Sequence, residues 1–119
     1  MKYKILIASL ATVLFSTAVN AELQSFRDRQ ITGIGVASSN GVSIFYVQLN
    51  GDLSSMTNCA TTKRFAVNSQ NPSYKEITAL ALAAYHSKDK KIDILATTSC
   101  ASWSNSQDFI GIKSGDMPY

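Results

Sequence analysis

Few residues in this sequence have the type and spacing that chemistry demands. The only histidine is His86. A Ser-His-Asp relay could draw on it, but no strand-turn-helix serine motif is present to supply the nucleophile. The eight acidic side chains are scattered, and no two stand out as an acid/base couple. Gly33-Ile34-Gly35 lacks the third glycine and the following helix of a dinucleotide fingerprint. Two cysteines and one imidazole fall short of the four N/S ligands of structural zinc. The expectation is therefore a protein that is not an enzyme, with no catalytic residues, no cofactor and no metal.

Binding chemistry is better represented. Cys100-Ala101-Ser102-Trp103-Ser104-Asn105-Ser106-Gln107 surrounds the single indole with hydroxyls and amides. Sugars are met in this way: an aromatic face stacks on the C–H face of the ring, and amides and hydroxyls take its OH groups. Trp103, Ser104, Asn105 and Gln107 are the candidate ligand contacts. The other reading keeps Trp103 packed against the end of the fold, with the polar residues as ordinary loop. Ser54, Ser55, Thr57 and Asn58 precede the first cysteine and are expected on the same side of the molecule.

Those loops need elements to hold them, and the ends of the chain come first. Lys2 and Lys4 precede an uncharged apolar run from Ile5 to Phe15, and Val19-Asn20-Ala21 places small or modest residues before Glu22. This is the pattern of a secretory signal over residues 1–21, cut between Ala21 and Glu22. The run is too short for a membrane span, and no later segment could make one. Residues 22–119 then form one small domain with nine basic and eight acidic side chains. A charge so near balance excludes the basic footprint of a nucleic-acid binder. Lys88, Lys90 and Lys91, interleaved with Asp89 and Asp93, read as a solvated helix end. Export places the chain in the periplasm or outside the cell, where Cys59 and Cys100 are expected to pair. The bridge would close a loop of 41 residues.

Glu22 to Arg29 is polar and leaves two readings open, a loose arm or a lead-in to the first strand. Gln30 to Ser38 reads as a strand, with glycines that suggest a bend, a bulge or close packing. Ser39-Asn40-Gly41 is a hairpin turn. Val42 to Leu49, rich in β-branched and aromatic residues, is the clearest strand. Lys63 to Val67 follows after a polar loop. Asn71 to Lys88 is the only helix, with Pro72 in its first turn and Ser73 to Glu76 as a capping box. Its apolar face is Tyr74, Ile77, Leu80, Ala81, Ala84 and Tyr85. Lys91 to Thr98 and Asp108 to Ser114 are the last strands. The order βββαββ predicts a mainly β, α+β domain: a small OB-fold-like barrel of five to six strands with the helix plugging one side.

A cysteine before the third strand, a helix carrying Tyr74-Lys75-Glu76-Ile77 and Ala83-Ala84-Tyr85-His86, a strand Lys91-Ile92-Asp93-Ile94, then Cys100, Trp103 and a final apolar strand form a recognisable series. It resembles the OB-fold B subunits of AB-type bacterial toxins, nearest the subtilase cytotoxin and pertussis-like B subunits. A group of small exported Gram-negative proteins has similar Cys and aromatic positions. The resemblance spans Ile31 to Ser114. It implies a homo-pentameric ring, a host glycan as ligand and a toxin A subunit as partner. Trp103 matches the tryptophan that follows the second cysteine in cholera-type subunits, at a spacing one residue longer. The sialic-acid-binding serine motif of subtilase-type subunits has no counterpart here. The expected function is thus an exported, non-catalytic module that recognises a carbohydrate. The alternative is a small periplasmic protein that binds or inhibits a protein partner, with no toxin role.

Overall fold

The structure, a computed structural model, describes residues 21–119. The expected export signal lies outside the described residues, apart from Ala21. Six strands and one helix follow in the order β1 (Leu23–Arg29), β2 (Ile31–Ser39), β3 (Val42–Leu49), β4 (Phe65–Asn68), α1 (Tyr74–Ser87), β5 (Ile92–Thr97) and β6 (Gln107–Ser114). Glu22 to Arg29 is not a loose arm, and it is more than a lead-in: Leu23–Arg29 is a strand in its own right, paired with β5. Its only buried residue is Phe26, so little apolar alternation marks it.

The six strands form one sheet in the order β1-β5-β6-β4-β3-β2. All neighbours are antiparallel except β4 and β6. The two ends of this sheet, β1 and β2, are consecutive in the chain with only Gln30 between them. One bent strand therefore supplies both edges, and the sheet coils back on itself as in an OB-type barrel. No ladder joins β1 to β2. Two irregularities make the bend: a register shift between Phe26 and Arg29, where Asp28 takes φ 53°, and another between Ile31 and Gly33. The second shift also explains why β2 departs from plain alternation. Ile31 and Ile34 both turn towards the core, three residues apart.

The concave face holds the core. Phe65 stands between Phe26 and Phe109, with ring centroids 4.9 and 6.4 Å away. Phe45, Val47, Ile92 and Ile94 surround them, and α1 covers one side with Ile77, Ala81 and Ala84. Small alanines on its buried face let the helix approach closely.

The helix begins at Tyr74, not Asn71, and the capping box is not formed. Ser73 is the cap residue, but its φ −98° and ψ 14° keep its hydroxyl from any capping bond. Asn71 turns the chain instead, its side-chain oxygen accepting the Ser73 amide at 2.8 Å. Pro72 lies in that turn. At the other end Lys88 takes the left-handed conformation and donates to the Ala84 and Tyr85 carbonyls. Strand β4 starts at Phe65 rather than Lys63, and Phe65, Ala66 and Val67 are all buried, so both faces are covered.

A buried ion pair braces the bend. Lys113 Nζ lies 3.1 Å from Asp93 Oδ2, and both side chains are nearly inaccessible. Asp93 Oδ1 accepts the Asp28 amide at 2.9 Å, and Lys113 donates to the Gly115 carbonyl at 2.9 Å. Burial opposes the charge on Asp93. The Asp28 amide and Lys113 more than offset it and hold its carboxyl below the ordinary carboxylate range. A carboxyl more acidic when folded than when unfolded stabilises the fold above its unfolded pKa, and that contribution is lost as pH falls through the lowered folded value. Thermal melts between pH 7 and pH 2 should show this acid limb, and Asp93→Asn should flatten it. At neutral pH the variant leaves Lys113 buried and uncompensated, at a cost of about 3–5 kcal/mol.

Candidate functional site

Strand register sets out a row across the convex face. Gly35 pairs with Tyr46, Tyr46 with Ala66, and Ala66 with Asp108. Phe45 and Val47 point into the core, so Tyr46 points away from it. Its ring lies directly over Gly35, where a Cβ would collide with it. Of the readings of the β2 glycines, close packing is the one realised at this position.

Arg64 precedes β4 and completes the cluster. Its guanidinium carbon lies 4.9 Å from the Tyr46 ring centroid and 4.7 Å from that of Trp103. Tyr46 and Trp103 meet edge to face at 5.1 Å. The guanidinium is fastened by Nε donating to Thr62 Oγ1 at 3.0 Å and Nη2 donating to Asn105 Oδ1 at 3.2 Å. Its Nη1 has no hydrogen-bond partner among the described residues. Trp103 therefore does not present a bare ring: a cation already covers one of its faces, and the indole is half-buried.

The loop carrying Trp103 is held from three directions. The bridge between Cys59 and Cys100 forms as expected, with Cα atoms 6.2 Å apart. Asp108, nearly buried, accepts the Ala101 and Ser102 amides at 2.8 Å and the Ser99 hydroxyl at 2.6 Å. Thr62 donates its amide and hydroxyl to the Asn105 carbonyl at 3.2 and 2.8 Å. Within the loop, the Ser106 amide donates to the Trp103 carbonyl at 3.0 Å, a tight turn with Ser104 and Asn105 at its corners. Asn68 Nδ2 reaches Ser102 Oγ at 3.1 Å and adds a further amide to the rim.

The expected contacts thus divide. Trp103 and Asn105 belong to the cluster, and Ser104 is exposed beside them. Gln107 does not join them. It is fully buried, its Oε1 accepting the Thr57 amide at 3.0 Å and its Nε2 donating to Gln24 Oε1 at 2.7 Å. It braces β6 against β1 and the loop before β4 and is withdrawn from any ligand. Its inward direction follows from strand alternation, which places Gln107 and Phe109 together. Ser54, Ser55 and Thr57 likewise bond to Asp52, Gln24 and Gln107 rather than to the Trp103 turn. Tyr46, Arg64, Asn68 and Asp108 are new to the site. A glycine opposite an aromatic in paired strands could have indicated Tyr46; nothing in the local sequence marks Arg64.

Trp103 is the sole tryptophan, so its emission reports on this cluster alone. Asp108→Ala should leave the Ala101 and Ser102 amides unpaired, lower stability by about 1–3 kcal/mol and shift Trp103 emission to the red as the loop opens. Urea titrations followed at the tryptophan and by far-UV circular dichroism will check both effects.

No protein-family model matches this sequence, and no curated protein sequence matches it. Solved structures do. A homopentamer mutant of PltB from Salmonella typhi superposes with a TM-score of 0.57 at 15% identity, covering 79% of this chain and 86% of that one. A chain from the subtilase cytotoxin SubAB assembly gives a TM-score of 0.60 at 13% identity, covering 83% and 91%. A further PltB homopentamer mutant, solved with Neu5Ac-alpha-2-3-Gal-beta-1-4-GlcNAc glycans, gives 0.55 at 14% identity, covering 77% and 84%. At these identities the likeness is one of fold. The fold is that of the toxin B subunits named by the sequence resemblance.

Proposed function

We propose that the chain is an exported, non-catalytic binding module that recognises a carbohydrate and acts as a ring of identical copies. The observation that carries this reading is the Tyr46–Arg64–Trp103 stack on a convex face, fringed by Asn68, Ser102, Ser104 and Asn105. Hydroxyl and amide groups around aromatic edges suit a sugar. The partly free guanidinium suits a carboxylate on that sugar, since Arg–carboxylate bonds are charge-assisted and directional. A PltB homopentamer solved with Neu5Ac-bearing glycans, in the same fold, supports a glycan as the ligand. Fixing the loop by the disulfide, Asp108 and Thr62 lowers the ordering cost of binding.

The disulfide suits the oxidising space to which the signal over residues 1–21 would deliver the chain. The homopentamers among the structural neighbours support assembly of this chain into a ring, and the subtilase cytotoxin assembly supports a toxin A subunit as its partner.

A glycan array probed with the mature protein should give signal on carboxylate-bearing terminal sugars. Arg64→Ala should weaken that binding about 10- to 100-fold, the range expected for a hydrogen bond to a charged group. Trp103→Ala should weaken it as well. Absence of any glycan signal, or variants that bind like the parent, would overturn carbohydrate recognition. Light scattering on the mature protein should report a pentamer; a clean monomer at micromolar concentration would sink the ring.

A further inference from the structure

Two glycines stand inside β2, at Gly33 and Gly35, and their surroundings differ. A side chain on Gly33 would meet nothing closer than the Gln48 Cβ at 3.9 Å, an ordinary contact. A side chain on Gly35 would run into the far end of the Tyr46 ring, at Cζ, Cε2 and the hydroxyl oxygen. Neither glycine has a positive φ, so the backbone conformation requires neither of them. Glycine weakens a strand interior, because it brings no side chain to pack and loses the most freedom on folding. At Gly35 the missing side chain has a visible use: it is the seat of an aromatic ring.

That ring is part of the Arg64 cluster. Tyr46 holds the Arg64 guanidinium 4.9 Å from its centroid and meets Trp103 edge to face at 5.1 Å. Thr62 and Asn105 take Nε and Nη2 of Arg64 and tie the guanidinium to the Trp103 loop. The two rings fix the rest of its orientation, and with it the direction of the unbonded Nη1. If Tyr46 were lifted off β2, it would have to press against these neighbours or leave the cluster. In either case the guanidinium loses one of the two rings that hold it. Asn68, Ser102 and Ser104 have no contact with Gly35 and would keep their places.

We infer that Gly35 is a positioning residue of the binding site: it lets Tyr46 lie against β2 and so aims Arg64 at the ligand. The inference rests on the carbohydrate reading and gives Gly35 a part in choosing an anionic sugar over a neutral one. Gly35 touches no ligand and acts through Tyr46. A side chain at this position disturbs the cation and spares the hydroxyls and amides of the rim. The loss should therefore fall on charge recognition.

The mature protein with Gly35→Ala, and with Gly33→Ala as its comparison, tests this on a glycan array. Gly35→Ala should weaken binding of carboxylate-bearing glycans about tenfold and lower the ratio of carboxylate-bearing to neutral signal. It should also shift the Trp103 emission. Gly33→Ala should bind and emit like the parent. Leucine at position 46 ends short of the ring atoms that meet Gly35. In a Tyr46→Leu background, Gly35→Ala should therefore leave the emission unmoved and raise the melting midpoint, as glycine replacement does where the native backbone accepts a side chain. Far-UV circular dichroism verifies that each variant is folded. Gly35→Ala that binds and emits like the parent overturns the inference. Equal losses on charged and neutral glycans, or equal losses for Gly33→Ala, make Gly35 a structural residue of the strand and overturn it too. The same holds for an emission shift that persists in the Tyr46→Leu background. A parent without glycan signal removes the carbohydrate reading and this role together.

Discussion

The bend around Gln30 is the constraint on which the rest depends. A straight strand of this length would give a flat sheet with two unrelated ends. Here the left-handed turn at Asp28 and the bulge before Gly33 fold one strand so that it serves β5 with its first half and β3 with its second. The Asp28 amide is bound by Asp93, and Asp93 by Lys113, so a pair of charges on β5 and β6 holds the corner of β1. Such a pair adds little net stability over an apolar substitute. Its value is positional: it fixes where the corner falls. The Asn40-Gly41 turn at the far end of β2 sets Gly35 opposite Tyr46.

A domain of this size has little margin, typically about 5–15 kcal/mol in total. The Cys59–Cys100 bridge supplies about 4 kcal/mol on the chain-entropy account of a loop this long. It packs against the margin of the core through Cys100 and ties the loop before β4 to the loop before β6. Core and loops are thus stabilised by different means. Phe26, Phe65 and Phe109 pack the barrel, while the bridge, Asp108 and Thr62 order the polar turn that packing cannot reach.

Much of this architecture was legible in the residues. Val42–Leu49 coincides with its strand because alternation and β-branching agree there. The disulfide and the helix followed from composition and period. What failed did so where a competing local interaction won. Asn71 captured the Ser73 amide, so the expected capping box never closed. β1 buries a single residue, so it shows almost no pattern to read. Gln107 looked like a loop amide, but it is the first residue of β6, and the pleat turns it inward. Arg64 was illegible for a deeper reason: its role exists only where the β3 and β4 strands and the Trp103 turn converge, and no single segment encodes that meeting.

Arg64 also shows how the site differs from a plain aromatic platform. A lone surface arginine loses much side-chain entropy when it engages a ligand. Here two rings and two hydrogen bonds have already restricted the guanidinium before any ligand arrives. No carboxylate pairs with it among the described residues, so its charge is not neutralised locally. Asp108, the acid in the same strand row, is committed to the Ala101 and Ser102 amides. The result is an oriented cation with a remaining donor edge, on a face whose other groups are neutral hydroxyls and amides. Under the proposed carbohydrate reading, such a surface would discriminate by charge as well as by shape. A neutral sugar would exchange its water for the Asn and Ser groups at little net gain, whereas an anionic one would also meet a donor already held in place.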